Sequence, residues 1–208
     1  MSTRPSRLRR VGLFVAVAAM VTVTGCPRSS GQDDFGTLPS ITTSNPEAEA
    51  DLRAARDAAE AGQVDDAERG YRTFLERHPR DPLVPVARLG RGRVLLANGD
   101  VEAALALFAE VATSDDERAA EAGRFYQGVA LHLSRRHAEA LALLEPLVGR
   151  TTDPDETVLL LRTLAAAAQQ EQRTVLALEA LDRLGAAEEI GEADRSAARE
   201  DLRRVVAE

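Results

Sequence analysis

One alanine recurs through this chain at a nearly fixed interval, and that interval restricts the fold more than any other feature. Ala67, Ala104, Ala140 and Ala177 are separated by 37, 36 and 37 residues. They lie in four segments that align: "AGQVDDAERGYRTFL" (61–75), "NGDVEAALALFAEVA" (98–112), "SRRHAEALALLEPLV" (134–148) and "EQRTVLALEALDRLG" (171–185). Four residues beyond each alanine stands a large apolar side chain: Tyr71, Phe108, Leu144 and Leu181. Three further on stand Phe74, Val111, Leu147 and Leu184. Offsets of four and seven fall on one face of a helix. Twelve residues before each alanine is a small residue: Ala55, Gly92, Gly128 and Ala165. Gly62 and Gly99 fall between the two halves of the first two periods. Each period therefore predicts a helix, a tight turn and a second helix, with small residues where the helices of a pair approach. A unit of this size cannot bury its apolar face alone and must stack on its neighbours. The predicted fold is all-α: a helical solenoid of about four pairs.

Composition agrees. Tryptophan is absent and aromatic residues are 3% of the chain, whereas β-rich domains favour aromatic and β-branched residues. A single cysteine permits no intramolecular disulfide, so stability rests on packing. The net charge is −8; residues 1–25 carry four arginines and no acid, which leaves −12 on residues 26–208. A nucleic-acid surface needs a basic stripe, so nucleic acid is excluded as a partner.

The single cysteine, Cys26, follows a basic segment (1–10) and an uncharged, mostly apolar run of 13 residues (11–23). That run is short of the roughly 20 residues a membrane-spanning helix needs and has the length of a signal-peptide core. Val23-Thr24-Gly25-Cys26 resembles the bacterial lipobox. The resemblance implies that residues 1–25 are a lipoprotein signal peptide and that the Cys26 thiol receives a diacylglycerol. Two or more acyl chains then anchor the protein stably. Pro27 stands where an aspartate would resemble an inner-membrane retention signal, which favours the outer membrane, facing the periplasm. Residues 26–47 read as the lipidated cysteine and a flexible tether, rich in Pro, Gly, Ser and Thr.

The paired-helix pattern over residues 48–191 resembles the tetratricopeptide repeat. "VPVARLGRGRVLLANGDVEAALALFAEV" is its best match, and Pro79 in "LERHPRDP" stands at the repeat-terminal proline. Three departures are visible. Asp51 and Arg88 replace the aromatic expected early in the first helix. The third and fourth periods lack the turn glycine. The periods also exceed the family's 34 residues. Residues 192–208 read as a capping helix on which Ala197, Ala198, Leu202, Val205 and Val206 share one face; the rival reading is the first helix of a fifth unit. Together, lipobox, tether and repeats resemble envelope lipoproteins of β-barrel assembly, pilotin, division-coordinator or penicillin-binding-protein-activator type. The expected role is a membrane-tethered, non-catalytic scaffold that binds a protein or peptide in the cell envelope. The alternative is a structural or carbohydrate-binding lipoprotein without a dedicated peptide groove; its weakness is that only Tyr71 and Tyr126 are available for stacking beside a few phenylalanines.

Catalytic and metal motifs are missing from the sequence. His132 and His137 are five apart, so they do not share a helical face as a zinc-binding HExxH pair does, and His78 falls in a turn between repeats. "RLGRGR" (88–93) has no phosphate-loop frame. No enzyme activity, metal or cofactor is expected. In proteins resembling this one, the first helix of each pair lines the concave surface. Carried through the alignment, this makes Leu52, Arg56, Leu89, Arg93, Phe125, His132, Arg162 and Gln169 the candidate partner-binding residues. Arg56, Arg93 and Arg162 admit two readings: solvated arginines in ordinary helix pairs, or a locally basic groove for a peptide bearing carboxylates.

Overall fold

A computed structural model describes residues 41–151 and 153–207. Cys26, the lipobox, the apolar run and most of the tether lie outside the described residues. Among those described, all regular structure is helical. The elements are α1 (Pro46–Glu60), α2 (Val64–Arg77), α3 (Val84–Ala97), α4 (Val101–Ala112), α5 (Glu117–Leu133), α6 (His137–Leu144), α7 (Pro154–Gln170), α8 (Thr174–Ala186) and α9 (Glu192–Ala207). A 3-10 turn, Glu145–Leu147, extends α6. The chain is an all-α, tetratricopeptide-like solenoid.

Local sequence sets the helix starts. The side chains of Asn45, Asp100, Asp116 and Asp153 accept hydrogen bonds from the exposed amides of the first turns of α1, α4, α5 and α7. Each such cap contributes typically ~1 kcal/mol. Pro46 and Pro154 fix the first helical residue where no amide partner is needed. The folded region begins slightly before the predicted tether ends, because α1 starts at Pro46 and the Thr43 hydroxyl donates to Asp81 at 2.8 Å.

All four intra-pair turns have the same backbone. Gly62 and Gly99 adopt φ of +71° and +85°, and the aligned Arg135 and Gln172 adopt +62° and +56°. The following amide, of Gln63, Asp100, Arg136 or Arg173, donates to the carbonyl five residues back at 2.8–2.9 Å. This bond closes the first helix of each pair. The third and fourth pairs thus keep the turn without its glycine and bear the left-handed strain on a side-chain-bearing residue.

The aligned alanines Ala67, Ala104, Ala140 and Ala177 are all 0% exposed. In the second and third pairs a glycine of the first helix faces a bulky group of the second. A Cβ on Gly92 would stand 2.5 Å from the Phe108 ring, and one on Gly128 would stand 2.6 Å from Leu144. Between repeats, Gly90 accepts the Tyr71 ring in the same way. Two apolar clusters result. One covers α1, α2 and most of α3; the other runs from Leu89 to Ala198.

Second helices pack on their own first helix and on the next pair's first helix. The first helices also touch one another, α1 with α3, α3 with α5 and α5 with α7. They form one layer of the stack, termed the inner face. Helix α9 packs on α8 as each first helix packs on the second helix before it. Ala198 is buried, and Leu202 and Val205 are half-buried against the core. Val206 corrects the sequence reading: it is 68% exposed, because the buried stripe of α9 is narrower than the apolar positions suggest.

Candidate functional site

Two buried tyrosines link first and second helices. Tyr71 comes from α2 and Tyr126 from α5, and Arg93 on α3 lies electrostatically close to both. Burial pushes each phenol up to about 12, and the Arg93 charge opposes that rise in both; Arg56 adds to it at Tyr71. Both phenols therefore remain neutral hydrogen-bonding groups across the physiological range. The Arg93 guanidinium stands 5.2 Å from the centroid of the Tyr126 ring, within cation–π range. Phe125 meets Tyr126 edge-on at 4.7 Å, and Phe108 stacks on it at 5.5 Å. The Glu156 side chain of α7 hydrogen-bonds the Tyr126 hydroxyl. A line of groups, Arg56, Tyr71, Arg93, Tyr126 and Glu156, thus crosses all four pairs.

A cavity of about 260 Å³ lies beside this line. Helix α5 contributes Arg118, Glu121, Ala122 and Phe125, successive positions on one helical face. The segment after α6 contributes Leu147, Arg150 and Thr151, and α7 contributes Glu156. Arg150 pairs with Glu121 across the cavity wall.

The predicted groove residues fall in different environments. Leu52 and Leu89 are core side chains, 4% and 2% exposed, because adjacent first helices close over their position. They offer no open floor. Phe125 is also buried, yet it lines the cavity. Arg56 and Arg93 are half-buried on the tyrosine line, and Gln169 is exposed. Arg162 pairs with Asp194 of α9 at 2.7 Å, so it ties the terminal helix to the fourth pair.

His132 ends α5 and His137 begins α6, and the intervening turn folds their rings together. Their Nδ1 atoms are 3.1 Å apart, one donating and one accepting. Burial, then the neighbouring His137, holds the His132 imidazole below its usual value. The five-residue separation in sequence conceals this contact, because the residues lie on two helices. His78 is a buried link: its ring contacts Asp51 at 2.9 Å and Asn45 at 3.4 Å. Asp51, which replaces the expected aromatic, thus has a polar partner, as does Arg88 in Glu110 at 2.9 Å. Among the described residues no group of three or more His, Cys, Asp and Glu could hold a metal ion, and no helix is long and apolar enough to cross a membrane.

Sequence reasoning missed Tyr126, Glu156 and the cavity wall. Tyr126 had a signal, since it is adjacent to Phe125 in an aromatic-poor chain. Arg150 and Thr151 had none, because they lie in the inter-repeat segment that the alignment leaves unpaired.

The family model of the tetratricopeptide repeat matches residues 52–122, spanning the first two pairs and the start of α5. This supports tetratricopeptide-type repeats in that part of the chain, a repeat class that suggests a protein-binding scaffold. No curated protein and no solved structure matches the chain.

Proposed function

We propose that this chain is a lipid-anchored, non-catalytic adaptor that binds a protein or peptide on the inner face of its solenoid. Its compartment is the bacterial envelope, at the outer membrane and facing the periplasm. The observation that carries the binding role is the line from Arg56 through Tyr71, Arg93 and Tyr126 to Glu156. It joins the half-buried Arg56, Arg93 and Glu156 of first helices to two buried phenols across four pairs. Tetratricopeptide domains are in general interaction modules without catalytic activity, and the match at residues 52–122 supports that class here. The anchor rests on the lipobox at Val23-Thr24-Gly25-Cys26, and the envelope services open to such a protein are barrel or secretin assembly and peptidoglycan-synthase or division control. Burial disfavours the carbohydrate reading: Tyr71, Phe74, Phe108, Phe125 and Tyr126 are all at most 6% exposed, so no described aromatic is free to stack on a sugar.

Cell fractionation tests the anchor. Wild type is expected in the membrane pellet and to need detergent for release, with Cys26→Ser in the soluble fraction. A Cys26→Ser protein that still needs detergent contradicts it. Pull-down from detergent-solubilised envelope tests the binding face. Arg56→Gln with Arg93→Gln is expected to lose the wild-type partner while remaining folded; retention at the same salt dependence contradicts the assignment.

A further inference from the structure

We infer that His132 and His137 form a two-imidazole site for a divalent transition-metal ion, copper(II) by preference. The site is independent of the peptide-binding reading above. The two Nδ1 atoms stand 3.1 Å apart. An ion held at the roughly 2.0–2.1 Å usual for an imidazole ligand would join them at an angle of about 100°. Two neighbouring positions of one coordination shell have this spacing. His78 offers nothing comparable, because its ring is committed to Asp51 and Asn45.

The fold holds both donors in place. His132 lies in the last turn of α5, and His137 is the first residue of α6. Between them the Arg135 amide donates to the His132 carbonyl at 3.0 Å, and the Arg136 amide donates to the Leu131 carbonyl at 2.9 Å. A closed turn between two helices therefore sets the site, which a loose loop could not do. Both histidines are half-buried, not sealed from solvent. The turn does not repel a dication. Arg136 pairs with Glu139, and Glu102, within electrostatic reach of Arg136, accepts from the Ser134 hydroxyl at 3.2 Å. Two carboxylates thus face Arg135 and Arg136.

Binding changes no oxidation state and releases no proton. The ring that donates in the present contact moves its proton from Nδ1 to Nε2, and the ion takes both Nδ1 lone pairs. The donor set decides the metal. Among the described residues no third His, Cys, Asp or Glu completes a group, so water fills the other positions. A closed structural zinc site needs four protein ligands. Nitrogens and water oxygens in a tetragonal set suit copper(II) and nickel(II), and copper binds the more tightly.

The test titrates copper(II) into the full-length protein in detergent, read by thermal melts and by pulsed electron paramagnetic resonance. The wild-type melting temperature should rise with the logarithm of free copper, less with nickel or zinc, and not with magnesium. His132→Gln and His137→Gln should each weaken the copper effect at least tenfold, since losing even a hydrogen-bond partner of a metal ligand costs about 10–100-fold. Copper bound elsewhere, at Cys26 or the terminal amine, is common to all three proteins and cancels in the difference. The wild-type resonance spectrum should show two imidazoles on one ion, a reading that stands even where a variant fails to fold. A double variant that responds to copper as wild type does, an equal response to magnesium, or a spectrum with fewer than two imidazoles overturns the site.

Discussion

Gly92 and Phe108 occupy one shared volume: a Cβ on residue 92 would stand 2.5 Å from Cε1 and 2.9 Å from Cζ of the ring. The ring is 0% exposed and stacks on Tyr126, so it has little room to retreat. Gly92→Ala should therefore destabilise by about 1–3 kcal/mol despite the higher helix propensity of alanine. The urea midpoint measures this. Combining it with Phe108→Leu should cost less than the sum of the two single changes, since the shortened side chain vacates the volume. Full additivity would contradict the packing described.

The four turns invite opposite substitutions. Gly62→Ala and Gly99→Ala force a side chain into left-handed backbone and should each cost ~1 kcal/mol. Arg135→Gly and Gln172→Gly relieve the same strain. They should raise the melting temperature, by less than the alanine changes lower it, because glycine also frees the unfolded chain. A fall in melting temperature for both would contradict the equivalence of the four turns.

Acidification should weaken the His132–His137 contact. Burial and His137 lower the folded-state proton affinity of His132 relative to its ordinary value near 6.5. The unfolded chain then binds more protons in that window, so stability is full above about pH 6.5 and declines as pH falls toward the lowered folded value. Denaturant midpoints at several pH values between 7.5 and 5 should show this decline in wild type. His132→Gln should flatten it; an unchanged slope would place the sensitivity elsewhere.

Leu202 and Val206 separate the structure of α9 from its sequence pattern. Leu202 packs against the core, whereas Val206 is 68% exposed. Leu202→Ser should lower stability by about 1–2 kcal/mol, the loss of a partly buried leucine. Val206→Ser should change it by less than about 0.5 kcal/mol. Deleting residues 192–208 should cost more than either, since it also removes Asp194 from Arg162 and uncovers the face of α8 on which α9 packs. Thermal melts of the three variants give the ranking.

The repeat was legible because its signal is steric and periodic. Ala67, Ala104, Ala140 and Ala177 are invariably buried at the closest approach of two helices, and the spacing between them repeats with the fold. Gly92 and Gly128 were legible for the same reason. Burial at Leu52 and Leu89 was not, because it depends on how closely successive first helices approach. The alignment fixes which helix comes next but not that distance. The His132–His137 contact was hidden by the turn between them, and the cavity by Arg150 and Thr151, which follow the aligned segment. Arg162 was legible as a first-helix residue, but its partner Asp194 lies 32 positions away on a helix outside the repeat pattern.

Site-specific photo-crosslinking in the intact envelope tests the central claim most directly. Leu159 is 38% exposed and holds in α7 the aligned place that the cavity-lining Ala122 holds in α5. Val175 is 70% exposed at the start of α8, on a second helix. A photoreactive residue at 159 should capture a discrete partner, and the same residue at 175 should not capture it. Capture of one partner from 175 but not from 159 would show that binding runs along the second helices, and would contradict the inner face as the binding surface.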